Sequence, residues 1–267
     1  MTAIAVVGDA TTTTTVALAV GWPDGDEVIV LEADPGGGSL AGWLDTPSQP
    51  SLATIIANVG ADAERDHRAT FATFDAMTQR SRAGVRFVAN AVRSRAAHRA
   101  VDEAAVAVLP ALAAADQTVL VDIGAHRVGL GPSTALGVAD AVVVVHRQTT
   151  ASAAAATVRV ERLVESIEEL AHLDADIVLA VIGSAPFEPG EIGAFVDDSV
   201  PGAVRTVAAV ADDPLAAATV AGRTGVSAKR LRRLPLMRDT SHLATVLSVL
   251  VDGRRNSGRL GSGRQTS

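Results

Sequence analysis

The residues with the clearest chemical meaning are at the start of the chain, where an apolar strand leads into a helix. Residues 4–15 read Ile-Ala-Val-Val-Gly-Asp-Ala-Thr-Thr-Thr-Thr-Thr. A phosphate-binding loop belongs at such a junction. It needs glycines, which let successive backbone N–H groups turn inward, and a lysine that reaches the phosphates. Here Gly8 is the one glycine, Asp9 and Ala10 follow it, and residues 11–15 are all threonine. The pattern predicts a phosphate-loop scaffold whose chemistry is largely lost.

Acidic residues follow two further apolar strands. Val28–Leu31 leads to Asp34, and Val119–Val121 leads to Asp122. Continuous apolar runs of this kind are typical of parallel strands buried on both faces. Open parallel sheets bind ligands at the carboxyl ends of their strands. We therefore expect Thr12–Thr15, Asp34 and Asp122 to converge on one cleft, as the remnant of a magnesium site rather than as an acid–base pair.

In their order and spacing these motifs resemble the MinD/ParA family of deviant Walker-A P-loop proteins, which includes TadZ- and CpaE-like and actinobacterial MinD-like members. The resemblance covers nearly all of residues 1–250. The family loop, Lys-Gly-Gly-Val-Gly-Lys-Thr-Thr, aligns without gaps on residues 8–15, so its signature lysine falls on Gly8 and its Walker lysine on Thr13. The resemblance implies that a nucleotide would be held by Gly8, Thr12, Thr13, Thr14 and Thr15.

The resemblance also implies roles for residues outside the loop. Asp34 is similar to the family aspartate that lies beside the attacking water. Asp122 is similar to the Walker-B residue that holds Mg²⁺ through water, with Thr14 as a second magnesium residue. Asp212 and Pro214 belong to a segment similar to the family's late turn near the adenine, where the usual proline at position 211 is replaced by alanine.

The missing cations set two functional hypotheses against each other. The single lysine, Lys229, is far from the loop, and Asp9 adds a negative charge to the loop itself. Without a cation at the β- and γ-phosphates, phosphoryl transfer loses a main stabiliser of its transition state. The sequence predicts a positioning or regulatory protein with a degenerate Walker A, which acts through protein partners. The alternative is an active ATPase whose ATP-dependent dimerisation positions DNA, the septum or a secretion or pilus apparatus.

Nucleotide binding is a separate question from hydrolysis. Helix N-terminal N–H groups and threonine hydroxyls can hold an anion without a lysine. Against binding, β-branched threonines resist the positive φ that a phosphate cradle often requires. Weak binding of ATP or ADP with Mg²⁺ and no binding at all both stay open.

Strand candidates alternate with helical patterns along the chain, which predicts an α/β fold with a doubly wound, mostly parallel sheet of about seven strands and helices on both faces, like a P-loop NTPase. The strands are predicted at Ile4–Val7, Val28–Leu31, Val85–Ala89, Val119–Val121, Ala141–Val145, Ile177–Ile182 and Thr206–Val210. The principal helices are predicted at Val16–Val20, Ser51–Arg82, Ala96–Ala115, Ala151–Leu173 and His242–Val251. We expect one domain over residues 1–251 and a disordered basic tail over 252–267.

Charge is divided unevenly between the body and the C-terminal region. Residues 223–267 carry ten basic and two acidic side chains, a balance of +8, and the rest of the chain balances at −15, giving the net −7. An acidic body with a basic end suggests contact with nonspecific DNA or anionic lipid. The contact residues would be Lys229, Arg230, Arg232 and Arg233. The alternative is a solvated helix face whose leucines pack inward.

Several function classes are excluded by composition and spacing. The 267 residues include no cysteine, and the six histidines lie far apart, so neither a disulfide framework nor a clustered metal site is predicted. No G-x-G-x-x-G follows the first strand, which argues against a dinucleotide-binding dehydrogenase. The Gly-Gly-Ser-Leu-Ala segment at 37–41 lacks an obvious histidine partner for a hydrolase elbow.

The remaining expectations concern location and assembly. No run of 18 apolar residues and no secretory signal are present, which predicts a cytoplasmic protein, with peripheral association at the membrane, pole or nucleoid left open. Gly8 cannot make the family's lysine contact across a nucleotide sandwich. A homodimer would therefore have to be nucleotide-independent, held by apolar surface such as that around Trp43 and Leu44.

Overall fold

One eight-stranded sheet organises the chain, which a computed structural model describes over residues 2–23, 27–59, 66–125, 134–148 and 152–262, with side chains as far as residue 254. The strands are β1 (Thr2–Gly8), β2 (Val28–Glu32), β3 (Gln79–Arg80), β4 (Arg86–Val88), β5 (Thr118–Gly124), β6 (Ala141–Arg147), β7 (Asp176–Ile182) and β8 (Val204–Val210). Their spatial order is β3-β4-β2-β5-β1-β6-β7-β8. Every neighbouring pair is parallel except β3 and β4.

Helices cover both faces of the sheet. They are α1 (Thr11–Val20), α2 (Leu40–Trp43), α3 (Leu52–Val59), α4 (His67–Met77), α5 (Ser94–Ala114), α6 (Ala153–Leu170), α7 (Pro189–Ser199), α8 (Pro214–Val220), α9 (Ala228–Leu231) and α10 (Pro235–Ser262). One face carries α3 to α7, and the other carries α1, α2 and α8 to α10. Within the described residues, no helix combines the length and apolar character needed to cross a membrane.

The apolar strands form this sheet because both of their faces are covered. Along β1, Ala5 and Val7 belong to the core cluster on one side of the sheet, and Ile4 and Val6 belong to the cluster on the other side. All four side chains are fully buried. Alternate side chains of a strand point to opposite faces, so a strand buried on both must be apolar at every position. The prediction of a doubly wound, mostly parallel sheet is confirmed.

Some element boundaries differ from the prediction. The two-residue strand β3 adds an eighth strand; it is short, polar and antiparallel, and gives no apolar run to detect. The single helix predicted over Ser51–Arg82 is wrong, because α3, α4 and β3 occupy that stretch. Within it, residues 60–65 lie outside the described residues. α10 starts before His242, at a proline suited to the first turn of a helix. It also continues past residue 251; the domain boundary and the disordered tail stay predictions.

Strand register places the acidic residues at one edge of the sheet. Glu32 of β2 lies opposite Asp122 of β5, near the carboxyl ends of both strands. On the far side of β1, Gly8 pairs with Val145 of β6. The connection from β1 to α1 therefore starts between two parallel neighbours, at the edge where ligands of such sheets bind.

Candidate functional site

The connection between β1 and α1 is only two residues long. Gly8 ends the strand with φ of +110°, and a Cβ there would lie 2.3 Å from the backbone oxygen of Val145. Asp9 and Ala10 follow, Ala10 in the left-handed region with φ of 51° and ψ of 33°, and the helix begins at Thr11. The residues expected to surround phosphates therefore form the first turn of a helix instead of an open loop.

Threonine hydroxyls in this first turn form hydrogen bonds inside the protein. The Oγ1 of Thr12 donates to Oδ2 of Asp122 at 2.7 Å. Thr14 and Thr15 donate to the carbonyl oxygens four residues before them, at 3.1 and 2.8 Å, and both side chains are fully buried. Thr13 is half-buried and lines the cleft beside the helix. The magnesium role predicted for Thr14 thus falls on a hydroxyl directed into its own helix.

Asp122 and Glu32 are carboxyl groups buried side by side. Each is 1% exposed. The Glu32 oxygens accept the backbone N–H groups of Ser39, Leu40 and Asn90 at 2.6, 2.7 and 2.9 Å. Burial raises the pKa of Glu32 to about 6, although those hydrogen bonds act in the opposite direction. Burial also raises the pKa of Asp122, opposed by threonine hydroxyls of α1.

Both oxygens of Asp122 accept hydrogen bonds within the protein. Its Oδ2 accepts from Thr12, and its Oδ1 accepts the backbone N–H of Gly124 at 3.2 Å. The described ranges contain no cluster of three His, Cys, Asp or Glu side chains suited to a metal. The structure thus places Asp122 in a hydrogen-bonded pair with Thr12 between β5 and α1, and its role toward magnesium stays a prediction.

Asp34 completes a cleft of about 500 Å³ beside the start of α1. A Cβ on Gly124 would lie 2.4 Å from its Oδ2, so the Asp34 carboxylate rests directly against the glycine that ends β5. Thr12, Thr13 and Asp34 all line the cleft. Asp34 also contributes to the raised pKa of Asp122 through charge repulsion. The structure thus brings together the loop and the two aspartates, as the strand ends predicted, and the roles assigned to them stay predictions.

Arg223 brings a positive charge to this cleft from the segment after α8. Its guanidinium lies 5.9 Å from the centre of the Trp43 ring and donates to the Trp43 backbone oxygen at 3.2 Å. From the sequence, Arg223 stands out only as part of the basic charge of the C-terminal region. Leu44, next to Trp43, is 1% exposed and packs in the core. The apolar dimer surface predicted around Trp43 and Leu44 is therefore wrong for Leu44.

Four charged residues, here called the loop network, tie the connection after β1 to neighbouring elements: Asp9, Arg147, Arg159 and Asp212. The Oδ2 of Asp9 accepts from the Arg159 guanidinium at 2.6 Å and from the Arg147 backbone N–H at 3.1 Å. The Arg147 guanidinium binds both Asp212 oxygens, at 3.1 and 2.9 Å. The network joins β1, the end of β6, the residues after β8, and α6 across the edge where a nucleotide would lie.

The segment predicted to lie near an adenine takes part in this network. Asp212 is held by Arg147, and Pro214 is an exposed residue at the start of α8. Asp213 between them caps that helix, accepting the N–H of Ala216 at 3.0 Å. Sequence reasoning missed the arginines of the network, because a lone arginine in a strand end or a helix carries no local signal.

The basic residues around α9 are exposed. Lys229, Arg230, Arg232 and Arg233 all face solvent, whereas Leu231 is buried against the core. In the part of the chain that the structure describes, none of these four cations forms an ion pair. This arrangement matches a solvated helix face with an inward leucine, and contact with DNA or anionic lipid stays a prediction.

Comparison with known proteins gives a match in structure only. No protein family model matches the sequence, and no curated protein matches it. Among solved structures, the chain is similar to the cell division ATPase MinD of Pyrococcus furiosus, with 17% identity and a TM-score of 0.65. The alignment covers 93% of this chain and 99% of that one.

Two further structures show the same fold. A ParA family ATPase from Chlorobium tepidum matches at 15% identity and a TM-score of 0.63, covering 91% of this chain and 98% of its own. The MinC:MinD cell division complex of Aquifex aeolicus matches at 10% identity and a TM-score of 0.63, covering 93% and 96%. Structural similarity at identities this low establishes the fold alone, and function has to be argued from the site. The chain has the fold of the MinD and ParA ATPases.

The buried Glu32 predicts how stability depends on pH. Its pKa rises from an ordinary 4.5 to about 6 on folding, so the folded state holds this proton more tightly than the unfolded state. The contribution of Glu32 to stability should be fully present below pH 4.5 and be lost as the pH rises through 6. The loss from this carboxyl is about 2 kcal/mol. Urea unfolding across this range measures it, and Glu32→Gln should flatten the profile; an unchanged profile in that variant would assign the effect to other groups, such as Asp122.

Proposed function

We propose that this chain is a member of the MinD/ParA family with a degenerate Walker A, and that it acts through protein partners as a positioning or regulatory protein that does not hydrolyse ATP. The observation that carries the proposal is the connection after Gly8, where Asp9 and Ala10 are followed at once by a helix. A phosphate cradle requires a run of inward N–H groups in an open loop. Here the first threonines are helical.

The charges around the connection support the same proposal. Arg159 and Arg147 are paired with Asp9 and Asp212 and so are already neutralised. A phosphate entering the cleft would meet the Asp34 carboxylate. Two unit charges 4 Å apart near a protein surface interact by about 4 kcal/mol, and here the sign is repulsive. Arg223 offsets part of this repulsion, but it is held over Trp43 rather than at the helix start.

The positioning role rests on the likeness of fold. The similar proteins include cell division ATPases and one complex of MinD with MinC, which supports action through a protein partner. We place the protein in the cytoplasm, with peripheral association at the membrane, pole or nucleoid set by that partner. Since Gly8 stands where the family has its signature lysine, any homodimer would be independent of nucleotide.

Calorimetric titration with ATP and ADP in the presence of Mg²⁺ tests the loss of nucleotide binding. We expect no heat of binding beyond the dilution control and, by light scattering of the same samples, no change in mass. The physical reason is that no open loop surrounds the phosphates and that Arg147 and Arg159 are already paired with carboxylates. Micromolar binding with ATP-dependent doubling of the mass would instead support the alternative, an active ATPase whose dimerisation drives positioning.

A further inference from the structure

A second cavity lies at the opposite edge of the sheet from the β1–α1 connection. Its volume is about 520 Å³, within the range of small-molecule sites. It is lined by Ala19 and Val20 at the end of α1, by Val28 at the start of β2 and by the β3–β4 hairpin. α1 has ten residues, so its length of about 15 Å separates this cavity from the cleft at Thr12. The two sites are therefore distinct.

Arginines dominate the charge of this cavity. Arg80, Arg82 and Arg86 line it from the hairpin and Arg232 lines it from the end of α9. Glu27 is the one acidic side chain among its described lining residues. About 150 residues of sequence separate Arg232 from the three arginines of the hairpin, and the fold brings all four to one cavity.

Two of the four guanidinium groups lack a carboxylate partner in the described structure. Arg86 is neutralised by Glu27 at 2.8 Å and by Asp75, and Arg82 pairs with an exposed aspartate at 3.2 Å. Arg80 donates only to the backbone oxygen of Gly84, at 2.9 Å. The exposed guanidinium of Arg232 forms no hydrogen bond or ion pair within the described residues, and only its backbone N–H donates, to Ala228. A planar guanidinium of this kind binds phosphate through two parallel hydrogen bonds.

The rest of the wall is apolar. Val28, Val85 and Leu231 are each less than a tenth exposed, and Val20 and Val226 are half-buried. All five line the cavity. A ligand that filled it would place an anionic head at Arg80 and Arg232 and an apolar body against these side chains, which gain from contact with apolar surface rather than water.

We propose that this cavity binds a phosphate monoester with an apolar body, whose phosphate is held by Arg80 and Arg232. The site is independent of nucleotide binding at the carboxyl edge. The phosphate can belong to a free ester or to a lipid headgroup, and the two sources share the same chemistry at the arginines.

The test uses the full chain with phenyl phosphate as the free ester, inorganic phosphate as the head alone, and phosphatidylcholine vesicles containing phosphatidic acid as the lipid. Calorimetry should give tighter binding of phenyl phosphate than of inorganic phosphate. Arg80→Gln and Arg232→Gln should each weaken phenyl phosphate binding at least tenfold, since a charge-assisted hydrogen bond is worth about 1.5–3 kcal/mol. Binding only to the vesicles, lost in the same two variants, supports the lipid as source.

Arg230→Gln is the matched control, because Arg230 lies in α9, next to Arg232 at the end of that helix, and is exposed but does not line the cavity. The Arg230→Gln variant should bind phenyl phosphate with the same affinity as the unchanged protein. Thermal unfolding of all three variants verifies that they fold alike. Equal weakening in the control, measurable binding of phenyl phosphate that is no tighter than that of inorganic phosphate, or no binding to any of the three probes would overturn the proposal.

Discussion

Four substitutions in the β1–α1 connection are expected to turn a chain without measurable ATP binding into one with a micromolar dissociation constant. They are Asp9→Gly, Ala10→Gly, Thr12→Gly and Thr13→Lys. The glycines restore the freedom to form an open loop, and the lysine supplies the cation that reaches the phosphates. A micromolar constant corresponds to about 8 kcal/mol of binding free energy. Calorimetry with ATP and Mg²⁺ measures the gain directly.

The contacts of the replaced residues explain why all four are needed. Removing Asp9 frees Arg159, whose guanidinium would then face incoming phosphates instead of a carboxylate. Removing the Thr12 hydroxyl releases Oδ2 of Asp122, which makes that oxygen available to solvent and cations. Lysine at position 13 alone leaves both contacts in place. Thr13→Lys by itself is therefore expected to bind no ATP.

The matched control keeps Asp9 and carries the other three substitutions. It should bind at least tenfold more weakly than the four-residue variant, because Asp9 remains paired with Arg159 at the loop. Circular dichroism and thermal unfolding establish that both variants are folded. A folded four-residue variant that shows no ATP binding would mean that the cleft beyond the loop has also lost its shape for nucleotide.

The fold could be predicted from the sequence because its strands are unusually uniform. Residues 3–7 of β1 and 141–145 of β6 are all apolar, so the signal for a buried parallel strand does not depend on any single residue. The strand ends also placed Asp34 and Asp122 at one edge. β3 escaped prediction because its two residues, Gln79 and Arg80, are polar and their pairing with β4 is set by the hairpin.

The candidate site was less predictable because its decisive contacts join distant parts of the chain. Arg159 reaches Asp9 across 150 positions, and Arg223 reaches Trp43 across 180. Long arginine side chains at single positions leave no periodic or local pattern. The threonine run could be recognised as lacking glycines, but sequence spacing alone does not establish that its hydroxyls bond to carbonyl groups four residues earlier.

Gly8→Ala is expected to have the largest effect of any single substitution on folding. Gly8 has φ of +110°, which an L-residue with a side chain rarely adopts, and a Cβ would lie 2.3 Å from the backbone oxygen of Val145 on the neighbouring strand. Backbone strain and a clash with backbone together should lower the free energy of unfolding by about 3 kcal/mol or more. Urea unfolding monitored by circular dichroism measures the loss.

Gly190→Ala provides the matched control. Gly190 is in α7, where no neighbouring atom would lie within 4 Å of an added Cβ, so alanine should stabilise the helix by about 0.5–1 kcal/mol. If Gly8→Ala lowers the free energy of unfolding by less than about 1 kcal/mol, β1 can shift away from β6 and the prediction is wrong. The prediction also bears on function. If alanine is not tolerated at position 8, a lysine there is not tolerated either. A chain with this backbone conformation then cannot make the family's lysine contact between subunits around ATP.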